Sequence, residues 1–238
     1  MLLDIAGLRK SFGSIVVADD LDLSVAPGEA VGIIGPNGAG KTTLFNLIAG
    51  SLAPNAGTIR LDGRDLTRTS PQARCRAGIG RTHQIPQPFE NLTVFENLLV
   101  GAVNARRKTE AEVAQSCGEL LARLDLLKHA NTSAGSLTLL QRKRLEMARA
   151  LATSPRLLLL DEIAGGLTEA ECGELIATIS DISRSGVAIL WIEHVVHALV
   201  AVVDRLVVLN FGRKIAEGDP QAVMSLPEVH QIYIGIEA

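Results

Sequence analysis

The stretch "GPNGAGKTT", Gly35 to Thr43, decides how the chain is read. Gly35 and Gly40 bracket Pro36, Asn37, Gly38 and Ala39, and Lys41, Thr42 and Thr43 follow, which is the spacing of a phosphate-binding loop. The apolar run "AVGII" precedes it, and a helical segment, "TTLFNLIA", follows and stops at Gly50. Glycines let the backbone turn N–H groups inward around an anion, and the helix N-terminus adds positive potential. Lys41 is then within reach of terminal phosphates, and the Thr42 hydroxyl is placed for Mg²⁺. A glycine-rich strand-to-helix turn without a ligand is the plainer alternative. The correct strand and helix on either side favour the loop.

Loops of this kind serve kinases, GTPases and motors alike, so a second, acidic motif has to discriminate. "RLLLLDE", Arg156 to Glu162, is an apolar strand ending in a carboxylate pair. Ligands of parallel sheets sit at the carboxyl ends of strands, so Asp161 would approach a metal and Glu162 a water attacking a γ-phosphate. The chain has no Asn-Lys-x-Asp guanine-reading motif.

With 238 residues, 47% of them hydrophobic, the chain can bury a sizeable core. A net charge of −3 offers no basic field for nucleic acid. The clusters Arg106-Arg107-Lys108 and Arg142-Lys143-Arg144 read as solvated faces. Cys75, Cys117 and Cys172 are far apart and in no metal-ligand spacing, which fits a reducing cytosol. Cys117 and Cys172 fall on apolar stripes of predicted helices and read as small buried hydrophobes. The N-terminus lacks the pattern of a signal peptide, and no apolar run reaches the ~18 residues of a membrane span.

Strand-like runs open the chain: "LLDIAGL", "LDLSV", "AVGII" and "TIRLDG". Past the Pro-rich "QIPQP", helical spacing takes over, with Val113, Cys117, Leu120, Leu121, Leu124 and Leu127 on one face. Beyond Asp161, a helix from Glu169 to about Ser183, the strand "VAILWIE", a helix near His197 and the strand "RLVVL" alternate. Such alternation predicts a parallel sheet covered on both faces.

With both motifs in place, the chain resembles the nucleotide-binding subunit of an ABC transporter over nearly its whole length. The resemblance implies an α/β fold: a P-loop NTPase (RecA-like) core, an N-terminal antiparallel β subdomain and an inserted α-helical subdomain. The core would take residues 1–84 and 151–238, and the helical part 85–150, within one ABC ATPase domain. It implies that Phe12 in "KSFGS" stacks on adenine, with a buried strand-end aromatic as the alternative. Gln84 in "GRTHQIPQP" matches the glutamine that senses Mg²⁺ and water and touches a membrane subunit. His194, after "LWIE", matches the histidine that contacts the γ-phosphate. "GRTHQ…LTVFENLLVG" and the ending "KIAEGDP…VHQIYIG" look like the ATP-binding subunits of branched-chain amino acid importers.

In this family the signature segment reads approximately Leu-Ser-x-Gly-Gln, and here Leu137 to Gln141 reads "LTLLQ". Thr138 and Gln141 are kept and are spaced as a capping box, whereas Leu140 replaces the glycine. The resemblance implies that this segment completes the phosphate site of a second subunit. A left-handed backbone at the glycine position would make Leu140 cost ~1–2 kcal/mol. "GGLT", Gly165 to Thr168, ends in threonine where the family has Asp or Asn, although Thr168 and Glu171 form another capping box. The chain is therefore expected to hydrolyse ATP with Mg²⁺, Glu162 acting as base beside Lys41, Thr42, Asp161, Gln84 and His194. Its expected partners are membrane subunits, a second ATP-binding subunit, preferably a different chain, and indirectly a solute-binding protein. Its expected place is the cytoplasmic face of the cell membrane. A regulatory nucleotide-binding module is the alternative.

Overall fold

The computed structural model describes residues 1–234; Gly235, which closes the quoted ending "VHQIYIG", lies outside that range, as do residues 236–238. The chain opens with β1 (Leu3–Phe12) and β2 (Ile15–Val25), a hairpin turning at Gly13, and continues into β3 (Ala30–Ile34). Helix α1 (Lys41–Ala49) leaves the glycine loop, and β4 (Ala56–Leu61) and β5 (Arg64–Asp65) follow. Strands β1, β2, β4 and β5 form an antiparallel sheet in the order β2-β1-β4-β5. Leu3, Ile5, Leu8, Leu21, Leu23, Ile59 and Leu61 of this sheet cover α1, which explains the alternating opening runs.

Helix α2 (Pro71–Ala77) was not foreseen. It starts on a Ser70 cap with proline at its first turn and ends on left-handed Gly78. After the short β6 (Ile79–Arg81) come α3 (Val94–Arg106), α4 (Glu110–Arg123) and α5 (Leu139–Ala152). Each of the three is opened by a threonine capping box, at Thr93, Thr109 and Thr138. Val113, Cys117, Leu121 and Leu124 pack with Leu98 and Ala148 in one apolar cluster, with Leu120 against it, so the bland reading of Cys117 holds; Leu127 leaves the stripe, because α4 ends at Arg123 and Leu127 stands 53% exposed in the turn beyond.

The second half runs β7 (Leu157–Asp161), α6 (Glu169–Arg184), β8 (Ala188–Ile192), α7 (Val196–Val200), β9 (Arg205–Asn210), β10 (Arg213–Gly218), α8 (Pro220–Met224) and α9 (Pro227–Ile234). The larger sheet has the order β10-β9-β3-β8-β7-β6, parallel from β9 to β6 and antiparallel only at the β10 edge. The central strands β3, β7 and β8 are buried on both faces, as their unbroken apolar runs require. Leu158, Leu160, Ile189 and Trp191 point into the core shared with the helices, while Leu157, Leu159, Leu190 and Ile192 point toward α1 and the small sheet. Trp191 is wholly buried and packs in the core. No helix among the described residues is long and apolar enough to cross a membrane.

One expectation fails. Arg142-Lys143-Arg144 is not a solvated face: Lys143 and Arg144 are buried. Arg144 donates to Asp125 at 3.0 Å and to Glu174 on α6 at 2.8 Å. Helix α5 is enclosed by α3, α4, α6 and the edge of the parallel sheet, so even its polar positions meet protein.

Candidate active site

The loop between β3 and α1 forms the base of the site. Gly38 and Gly40 take φ of 81° and 99°, which side chains other than glycine rarely adopt. A Cβ at Gly35 would lie 2.1 Å from the Leu209 carbonyl, and one at Gly40 would lie 2.2 Å from that of Val17. Neighbouring backbone therefore leaves no room for a side chain at either place. Gly212, in the β9–β10 turn, braces the loop by donating from its N–H to the Ala39 carbonyl at 3.0 Å. Lys41 folds back into the loop and donates to the carbonyls of Gly35 (2.6 Å) and Pro36 (3.0 Å). Burial pulls its pKa below the ordinary lysine value, and Glu162 and Asp161 pull the other way. Asn37 to Thr43 line a cleft of about 210 Å³ together with Val17 and Glu162. An ammonium and inward-facing N–H groups in one concavity suit a polyphosphate.

Register places Glu162 at its mouth and Asp161 buried beside it. Asp161 ends β7 opposite Ile192 of β8. Glu162 follows in a left-handed conformation, φ 46°, and its N–H is retained by the Ile192 carbonyl at 2.9 Å. Its carboxylate is held from both sides. Gln84 donates from Nε2 to Oε2 at 2.5 Å, and His194 approaches Oε1 through Nε2 at 2.8 Å. The structure thus brings together Lys41, Asp161, Glu162, Gln84 and His194 from four separate segments. Thr42 and Thr43 lie in the first turn of α1 and border the same cleft.

Two residues of this site escaped the sequence reading. Arg81, at the end of β6, donates to Asp161 Oδ2 at 2.8 Å and to Asn46 Oδ1 of α1 at 2.6 Å. A guanidinium against a buried carboxylate compensates its lost hydration. "GRTHQ" displayed Arg81, but nothing local marked its partner.

Phe12 ends β1 and is 48% exposed, which excludes the buried strand-end alternative. The Lys10 ammonium lies 5.0 Å from its ring centroid. An exposed ring at the rim of the small sheet is free to stack on a flat aromatic ligand.

The signature residues are not gathered around this chain's own glycine loop. Thr138 caps α5, accepting from the Gln141 N–H, while Gln141 Oε1 accepts from the Thr138 N–H at 3.0 Å. Leu139 and Leu140 are the first two helical residues, and neither has positive φ. The strain envisaged at Leu140 is therefore absent, because an ordinary helical turn does not need glycine. What changes is the surface: Leu140 is 8% exposed and packed inward, whereas Leu139 stands 43% exposed at the helix tip. Leu139 also borders a second cleft, of about 330 Å³, with Gln84, Glu162 and His194.

No group of three or more His, Cys, Asp or Glu side chains that could hold a metal occurs among the described residues. A hard cation here would take only Thr42, Asp161 and Gln84 from the chain and the rest of its shell from phosphate and water, which is how Mg²⁺ is commonly held.

Residues 18–165 match the family model described as "ABC transporter". The branched-chain amino acid transport ATP-binding protein BraF of Pseudomonas aeruginosa is 36% identical over 98% of both chains, and LivG of Escherichia coli K12 has the same identity and coverage. Among solved structures, a nucleotide-free ATP-binding cassette from an ABC transporter superposes with a TM-score of 0.90 at 32% identity, covering 98% of this chain and 99% of that one. Glycine loop, carboxylate strand, sheet order and overall likeness agree: the chain belongs to the ABC transporter family, as an ATP-binding subunit with an ATPase fold.

Proposed function

We propose that the chain is the ATP-hydrolysing subunit of an importer for branched-chain amino acids or a related solute. The observation that carries this reading is the Glu162 carboxylate, held between Gln84 and His194 at the mouth of the Lys41 loop. BraF and LivG, named for branched-chain amino acid transport, supply the solute class.

In this reading Gly35 to Thr43 cradle the triphosphate, and Phe12 stacks on adenine. Lys41 swings from the Gly35 and Pro36 carbonyls onto the terminal phosphates, where its charge is worth more in a closed, poorly hydrated site. Bound Mg²⁺ would neutralise charge on the phosphates. Glu162 accepts a proton from the attacking water, Gln84 orients that water, and His194 donates to the transferring group. To take these roles Gln84 and His194 exchange their hydrogen bonds to the Glu162 carboxylate for bonds to water and phosphate.

Residues 85–150 act as a helical unit against a core of 1–84 and 151–238, at the cytoplasmic face of membrane subunits that meet the Gln84 loop. A solute-binding protein delivers cargo on the far side. The second ATP-binding subunit is a different chain whose signature carries glycine. Leu139 adds an exposed side chain where α5 would present N–H groups to the opposite nucleotide, so that site is the weaker of the two. Thr138 and Gln141 shape the helix tip by their mutual cap.

Glu162→Gln tests the catalytic assignment. Turnover should fall about 100-fold or more, the scale of a lost general base, while ATP binding by fluorescence titration is kept. Normal turnover by this variant would refute the assignment. Tight ATP binding with no turnover even in the wild-type chain would favour the regulatory reading instead.

A further inference from the structure

Glu193 has no part in the chemistry above, yet it is 1% exposed and lies between the two loops that carry it. It follows β8 directly and precedes His194. Its Oε1 accepts from the Ala164 N–H at 2.6 Å, two residues past Glu162. Its Oε2 accepts from the N–H groups of His194 (3.0 Å) and Val195 (3.5 Å). One carboxylate thereby joins the segment leaving β7 to the segment leaving β8. The Glu162 N–H to Ile192 carbonyl bond spans the same gap one step earlier. Hydrogen bonds to an ionised acceptor are about twice as strong as neutral ones, and here they act between adjacent strands.

Lys143 supplies the balancing charge. It projects from the second turn of α5, is 3% exposed, and lines the 330 Å³ cleft with Glu162, Glu193 and His194. Leu139, one helical turn earlier, borders the same cleft. Burial lowers the Lys143 pKa, and the charges of Glu193 and Glu162 oppose that shift. Burial likewise raises that of Glu193, the three N–H groups lower it, and Glu162 adds to the rise. The charges of Glu162 and Glu193 repel each other, and the Lys143 ammonium lining the same cleft offsets that repulsion.

We propose that Glu193 and Lys143 are positioning residues for hydrolysis. Glu193 sets the spacing between Glu162 and His194, and Lys143 holds that unit against the signature helix. The inference rests on Glu162 and His194 acting as the catalytic pair.

The test measures kcat, ATP Kd and urea midpoint on the purified full chain for Glu193→Gln, Glu193→Asp, Lys143→Met, Lys143→Arg and the double variant Lys143→Met with Glu193→Gln. In Glu193→Gln the amide NH2 must face either the Ala164 N–H or the His194 N–H, donor against donor. Its kcat should fall about tenfold or more with Kd within twofold of wild type, since the glycine loop is untouched. Glu193→Asp and Lys143→Arg, which keep the charges, should recover most of the loss. The double variant should lose no more than the worse single one, because residues acting as a unit are not additive. Wild-type kcat in Glu193→Gln overturns the proposal, as does a fall in kcat that merely tracks Kd and urea midpoint, or single effects that multiply. Glu162→Gln run alongside separates the failures. If it is silent while Glu193→Gln is fully active, only this inference falls; if it hydrolyses normally, the catalytic pair falls as well.

Discussion

Replacing Leu140 by glycine would restore the family's signature residue, and a strained leucine would predict a faster enzyme. The structure reverses that expectation. Leu140 is the second residue of α5, helical in backbone and packed into the cluster that includes Leu137, Leu145 and Ala148. Truncating a buried leucine to alanine costs about 2–5 kcal/mol. Glycine adds up to about 1 kcal/mol more in a helix, less in the first turn. Leu140→Gly should thus lose about 3–5 kcal/mol, with no strain to recover, since the φ of Leu140 is not positive. Urea unfolding of the purified chain would show this as a lower midpoint at unchanged m-value. Mg-ATP turnover, measured where both proteins are folded, should be no higher than wild type. Leu139→Gly is the internal comparison: its side chain already meets solvent, so the cost should stay near about 1 kcal/mol. A Leu140→Gly chain as stable as wild type and several-fold faster would refute the reasoning, by showing that the leucine opposes a conformation the phosphate clamp needs.

The remaining predictions concern folding. Arg74, buried in α2, donates to the Leu47 and Ile48 carbonyls that end α1 and to the carbonyls of Thr67 and Thr69. Arg74→Met leaves these acceptors without their donor and should cost about 3 kcal/mol in urea unfolding; a loss below about 1 kcal/mol would mean water replaces the guanidinium. Acid should weaken the helix starts: Glu96, Glu112 and Glu171 are held below the ordinary glutamate value of 4.5 by the N–H groups of Thr93, Thr109 and Thr168 first and by their hydroxyls second. Because the folded pKa values lie below the unfolded ones, this contribution is complete above 4.5 and is lost as pH falls through the folded values. The urea midpoint between pH 7 and pH 3 should therefore decline less steeply in the triple variant Glu96→Gln, Glu112→Gln, Glu171→Gln, and an identical decline would count against the cap account.

Several features of this protein are local in origin and were legible in the sequence. The glycine loop is one, because positive φ and close backbone approach demand glycine at fixed spacing between a strand and a helix. The strand ending at Asp161 and Glu162 is another, since only a run buried on both faces reads as unbroken leucine. The capping boxes at Thr138 and Thr168 depend on residues three apart and formed as read. Long-range packing decided the rest. Arg81 reaches Asp161 only because β6 lies beside β7 in the sheet. The basic trio at 142–144 looks like any exposed helix face until α5 is enclosed by neighbouring helices and the sheet edge. Leu140 could be judged strained or relaxed only once its backbone was seen to be helical. Glu193 gains its place from the adjacency of β7 and β8, which brings Ala164 and His194 to one carboxylate. Spacing along the chain specifies turns, caps and strand faces through short-range sterics; which charges end up buried together is set by contacts between distant segments, and only the folded chain makes them.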